Sequence, residues 1–136
     1  MRGGVRAVAP VFQLYRFTDE DTVWWRLVSP NGRGIARVPH GLPDPDAARE
    51  SIAGVVAVVD RLDPLLRLTP EYRWRWELQH AGASVVHGIG DHDRRVRCEN
   101  AAHRFLQIAA DAPTDPVVCT FRRVGPAPRL ARRLAR

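Results

Sequence analysis

The sequence contains no lysine; all 21 basic residues are arginine. A coding bias toward GC-rich codons accounts for that without any functional demand. Cysteine is nearly absent as well. Cys98 and Cys119 stand in different predicted elements, which excludes a disulfide scaffold and fits a reduced, cytoplasmic protein. No apolar run reaches the ~18 residues that would indicate a membrane-spanning helix. The start, Met1 to Arg6, lacks the apolar stretch of a signal peptide. Familiar chemical motifs are missing too. There is no Gly-x-Ser-x-Gly, no His-Glu-x-x-His and no pair of carboxylates in a catalytic pattern. Gly88-Ile89-Gly90 lacks the third glycine and the Lys-Ser/Thr of a phosphate loop, so no cofactor is expected.

What is present is an ordinary globular balance, 45% hydrophobic and 26% charged residues in a chain of 136, enough for one small domain. The net charge of +6 is unevenly placed. Residues 1–115 hold 15 Arg against 15 Asp and Glu. The excess is Arg122, Arg123, Arg129, Arg132, Arg133 and Arg136, with no acid after Asp115. The body is neutral and the tail is basic, a pattern suited to nucleic acid or an acidic partner.

Residues 1–9 form a lead-in. Val11–Phe17 alternates as a strand, the acidic Asp19-Glu20-Asp21 turns the chain, and Val23–Val28 alternates again. Ser29-Pro30-Asn31-Gly32 is a hairpin turn before a third strand at Gly34–Val38. Asp44 and Pro45 open a helix with Ala48, Ile52, Val55 and Val59 on one face. The plan then recurs. Leu65–Thr69 is a short strand, and Tyr72, Trp74, Trp76 and Leu78 alternate with Arg73, Arg75, Glu77 and Gln79. Ala81-Gly82 makes a turn, Ser84–His87 a strand, and Asp93 caps a helix whose apolar face is Cys98, Ala102, Phe105 and Ala109. Val117–Phe121 reads as a last strand.

The helix faces superpose at a shift of 50 residues, from Ala48 on Cys98 to Val59 on Ala109. The second strands superpose at 51, Trp25 on Trp76 and Leu27 on Leu78. Residues 10–63 and 64–121 therefore read as two diverged β-β-β-α units, with residues 122–136 as an Arg-rich tail. Trp25-Arg26-Leu27, Asn31-Gly32 and Ala47 through Ile52 in the first unit, with Glu77-Leu78, Gly82 and Cys98-Glu99-Asn100-Ala101 in the second, resemble the YegP-like family of small domains of unknown function. The resemblance implies an α+β fold: one antiparallel sheet, two helices on one face, pseudo-twofold symmetry, and units able to exchange terminal strands. Two units paired within one chain also imply a monomer. The family supplies no established catalytic set.

His87, Asp91, His92 and Asp93 are the densest group of metal-ligand types, although their spacing matches no standard zinc site. A small-ligand or metal-dependent enzyme built on that loop is the alternative to a non-enzymatic binding module. Cys98 superposes on Ala48 and reads as a core residue. Trp25 and Trp76 belong to a shared core. Trp24, in phase with Arg26, faces outward near Arg75 and is a candidate surface contact.

Overall fold

The computed structural model describes residues 9–123. Period-two alternation gives seven strands: β1 (Val11–Phe17), β2 (Trp24–Val28), β3 (Gly34–Arg37), β4 (Asp63–Leu68), β5 (Trp74–His80), β6 (Ala83–Gly88) and β7 (Thr114–Phe121). The two 3.6-period stretches become α1 (Pro45–Ala57) and α2 (Arg95–Ile108), each followed by one 3₁₀ turn. The result is a mixed α+β fold with one seven-stranded sheet, in the order β4-β5-β6-β3-β2-β1-β7.

Five of the six strand pairings are antiparallel; β1 with β7 is parallel. The sheet is thus not antiparallel throughout, and the reason lies in the connection. A parallel neighbour requires a crossover, and the stretch containing α2 carries the chain from β6 to the far edge. The last described strand is in this way paired with the first, β7 beside β1. The join between the halves is narrow: β3 and β6 are paired only at Ala36↔Gly88 and Arg37↔His87.

One apolar core lies between the sheet and both helices. Phe12, Leu14, Trp25 and Leu27 from one half meet Trp76, Leu78 and Val86 from the other, under Ala48, Ile52 and Val55 of α1 and Cys98, Ala102 and Phe105 of α2. The buried helix positions stand 50 residues apart, at the spacing expected from the sequence. Phe12 meets Trp25 edge to face at 5.5 Å, and Trp76 lies 5.9 Å from Phe105. The Trp25 indole N–H donates to Ser51 Oγ at 2.9 Å, so a buried ring keeps its hydrogen bond. Trp76 lies against Gly88, where an added Cβ would come within 2.3 Å of the indole. Burial pushes the Cys98 thiol up, against the opposing pull of Arg95, in keeping with a core cysteine.

Asp44 caps α1 as expected, its side chain accepting from the Ala47 N–H, with Pro45 in the first turn. Asp93 does not cap α2. Arg94 occupies the N-cap position without a side-chain cap bond, and Asp93 lies 3.9 Å from Arg97. Tyr72 is also not a strand residue. It has φ +62° and is exposed, in a turn where the Tyr72 N–H bonds Thr69 O and the Thr69 N–H bonds Arg73 O. Ser29–Arg33 makes the same two bonds with Gly32 at φ +84°. The chain therefore turns twice by one design, once on the expected Asn-Gly and once on Glu-Tyr.

Candidate functional site

The side chains that alternate away from the core form the helix-free face of the sheet. Strand register places them in one row across six strands: Gln13, Arg26, Arg37, His87, Glu77 and Leu65, each directly opposite the next. Arg67 opposite Arg75 forms part of the next row. Four arginines and an imidazole thus share a face with Glu77 and, toward the β4 edge, Asp63. Arg26 and Arg37 are direct cross-strand neighbours, and like charges so placed repel.

Three of the four arginines are held by neighbouring side chains or backbone. Arg26 Nε donates to Gln13 Oε1 at 2.8 Å, and its guanidinium stands 5.5 Å from the Tyr15 ring centroid and 5.1 Å from that of Phe121. Arg37 donates to the Val38 carbonyl at 3.0 Å and lies 5.9 Å from the Trp24 ring. Arg67 pairs with Glu77 at 2.9 Å. Arg37, Arg67, Arg75, Glu77 and His87 line a cleft of about 330 Å³. Beside it, Tyr15, Phe17, Trp24, Arg37 and Arg123 line a hollow of about 310 Å³.

The titrating groups report the same field. Burial pulls the His87 imidazole below its usual range; Arg37 adds to the effect and Glu77 opposes it. Burial acts to raise the Glu77 carboxyl, but hydrogen bonds from Arg67 and Gln79 outweigh it and hold the group below the usual carboxylate range. Burial raises the Tyr15 phenol against the pull of Arg37 and Arg26.

The loop group is divided. His87 belongs to the helix-free face, whereas Asp91 pairs with Arg73 at 2.9 Å and the His92 backbone bridges to Trp74. Asp91 and His92 line a different cleft, with Arg33, Arg97 and Arg104 beside α2. Asp93 turns toward Arg97. Among the described residues, no three His, Cys, Asp or Glu side chains converge to hold a metal ion.

Trp24 and Arg75 share the helix-free face but are not neighbours. β3 and β6 lie between their strands, so they stand about three strand spacings, roughly 14 Å, apart. Trp24 instead meets Arg37 and donates its indole N–H to Glu20 at 3.1 Å. Of the tail arginines, Arg122 is exposed, and Arg123 is engaged with Asp19 at 3.0 Å, with Glu20, and over the Phe17 ring at 4.0 Å. Arg129, Arg132, Arg133 and Arg136 lie outside the described residues. The sequence reading missed Arg26, Arg37 and Arg67 as a set. The signal was there: on β2 and β5, arginines alternate with core tryptophan and leucine.

No protein-family model and no curated protein matches the chain in sequence. Two solved structures share its fold. The UPF0339 protein SO3888 from Shewanella oneidensis, solved by solution NMR, is 11% identical and has a TM-score of 0.62, over 84% of this chain and 92% of that one. The yegP protein of E. coli, described as of unknown function, is 14% identical with a TM-score of 0.63, over 87% and 97%. The expected YegP-like resemblance is thus met at the level of fold. No helix among the described residues is long and apolar enough to cross a membrane.

Proposed function

We propose that this chain is a non-enzymatic, cytoplasmic binding module that takes nucleic acid or another polyanion on the helix-free sheet face, with the Arg-rich tail adding affinity. The observation that carries this reading is the cross-strand run Arg26–Arg37–His87, flanked by Arg67 and Arg75 and opposed by few carboxylates. Arginine suits the task because its planar fork grips phosphate while its face stacks on rings. Trp24 and Phe17, both part-exposed, border the hollow beside the row and offer apolar surface to unstacked bases, whereas Tyr15 is buried. The tail leaves the body from the β7 edge at Arg122 and Arg123, next to β1 on the same face. Affinity for a polyanion should then come from two sources, the face and the tail.

We also propose that residues 10–63 and 64–121 are diverged copies of one β-β-β-α unit, related by a pseudo-twofold axis through the β3–β6 junction. The 50-residue spacing of the buried helix positions supports it.

The test is fluorescence anisotropy with labelled single-stranded and duplex DNA of about 20 nucleotides, and RNA of the same length. The wild-type chain should bind, more tightly at low salt. Changing Arg26, Arg37, Arg67 and Arg75 together to glutamine should weaken binding at least about tenfold. If the folded quadruple variant binds as well as wild type, the face is not the interface. If wild type binds none of the probes at low salt, the nucleic-acid reading is wrong.

A further inference from the structure

The two-pair junction between β3 and β6 leaves a cleft at each end, where the strands part, and each cleft is bordered by one helix. The two are built alike. Positions 50 residues apart line them, Ser51 with Ala101, Gly54 with Arg104 and Val85 with Ile35, the spacing that also separates the buried helix positions. Their chemistry differs. No arginine lines the cleft beside α1, whereas Arg33, Arg97, Arg104 and His92 line the cleft beside α2. The positions 50 residues before Arg97, Arg104 and His92 hold Ala47, Gly54 and Leu42. A cleft of this shape therefore forms without charged walls, and the fold does not require the arginines.

Arg97, Ala101 and Arg104 are spaced by four and three residues, so they share one face of α2, with a methyl group between two guanidinium stems. Arg33 comes from a separate element, the turn that leads into β3. Ile89 supplies apolar surface. Its side chain lies over Gly34, where an added Cβ would come within 2.8 Å of it. The one carboxylate of the lining, Asp91, is engaged by Arg73 at 2.9 Å, and Arg97 has Asp93 at 3.9 Å. Arg33 and Arg104 form no ion pair among the described residues, which include every Asp and Glu of the chain. Two uncompensated guanidiniums thus border a space of about 640 Å³, a volume in the range of small-molecule sites.

We infer that this cleft binds a small molecule carrying a phosphate monoester. A dianion matches two uncompensated cations. A phosphoryl group also presents three terminal oxygens in a tetrahedral array, so two planar forks can grip it from different directions. A carboxylate has two oxygens in one plane and satisfies a single fork. His92 adds a ring N–H donor, and the organic part of the molecule would lie on Ile89 and Ala101. The inference goes beyond the proposed polyanion face, since none of Arg26, Arg37, Arg67 and Arg75 lines this cleft.

Three probes with one ring decide it: phenyl phosphate, phenyl sulfate and benzoate, titrated into the full chain at about pH 7.5, where the monoester is dianionic, and followed by amide chemical shifts. Phenyl phosphate should bind saturably, at about millimolar affinity or better, with shifts at Gly34, Ile89, Ala101 and Arg104. The two monoanions should bind at least about fivefold more weakly. Arg33→Gln with Arg104→Gln should weaken phenyl phosphate at least about tenfold without lowering the Tm, because both side chains are exposed. Arg16→Gln with Arg61→Gln removes the same charge outside the cleft and should change the affinity less than about twofold. No saturable binding of phenyl phosphate overturns the inference, as does equal affinity for all three heads or binding that survives the loss of Arg33 and Arg104. Binding lost instead in the variant of Arg26, Arg37, Arg67 and Arg75 would move the site to the sheet face and overturns it too. A failure to bind DNA leaves these results untouched, so the two readings fail separately.

Discussion

The salt dependence of polyanion binding separates the sheet face from the tail, and its size follows from the arginines present. Each phosphate contact with a single strand releases counterions and contributes about −0.7 to the slope of log K against log salt. Arg26, Arg37, Arg67 and Arg75 lie on one face, across about four strand spacings or 19 Å. If all four contact phosphate, the face supplies a slope of about −2.8, and a rise from about 50 to 200 mM salt costs it about 50-fold in affinity. Arg129, Arg132, Arg133 and Arg136 would supply a further −2.8 or so. Arg123 is left out because Asp19 and Glu20 already neutralise it. The perturbations are therefore two: a chain ending at Arg123, and Arg26, Arg37, Arg67 and Arg75 all changed to glutamine. Each should flatten the slope by up to about 2.8, and the combination should leave little salt dependence. Anisotropy titrations with labelled oligo-dT at four salt concentrations measure it. Circular dichroism confirms that both variants stay folded. Loss of all binding on truncation alone, with the wild-type slope kept in the face variant, would mean that the row of arginines is only a solvated surface and not the interface.

Three further outcomes follow from the geometry. His87 sits below its usual pKa in the free protein, so the neutral form is favoured at pH 7 among Arg37, Arg67, His40 and Glu77. A bound phosphate would favour the imidazolium, so affinity should rise as pH falls below about 6.5, and His87→Gln should flatten that rise; an unchanged profile in the variant removes His87 from the interface. Gly88→Ala drives a Cβ into the Trp76 indole and should cost about 1–3 kcal/mol in chemical denaturation; a loss near zero would mean that the ring moves aside freely. Tyr72 holds φ +62° while 78% exposed, so Tyr72→Gly relieves about 1–2 kcal/mol of left-handed strain, and greater chain entropy offsets roughly half of it. The variant should gain about 0.5–1 kcal/mol, a rise of about 2–6 °C in Tm, and a fall in Tm would show that the exposed ring makes contacts worth more than the strain.

How far the sequence revealed this molecule depended on whether the controlling interaction was local. Both helices, the Asp44 cap and the buried Trp25 and Trp76 were legible, because period, capping chemistry and apolar spacing act within a few residues. The parallel docking of β7 was not, since nothing in Thr114–Phe121 states which edge it will join. Tyr72 misled for a different reason: its aromatic ring continued the alternation of Trp74 and Trp76, while the turn is specified by the hydrogen bonds between Thr69 and Arg73. The candidate site was hidden by summation. Fifteen arginines and fifteen acids in residues 1–115 cancel as a total, yet pleating sorts them by face and register sorts them by row. Arg26 and Arg37 are eleven residues apart in sequence and opposite one another in the sheet, and His87 reaches them only through the two-pair junction. That junction has the fewest register pairs of the sheet's six strand pairings, and the basic row crosses it. A polyanion laid along that row would therefore add bonds across the narrowest pairing of the sheet, and binding should stabilise the whole sheet rather than one side of it.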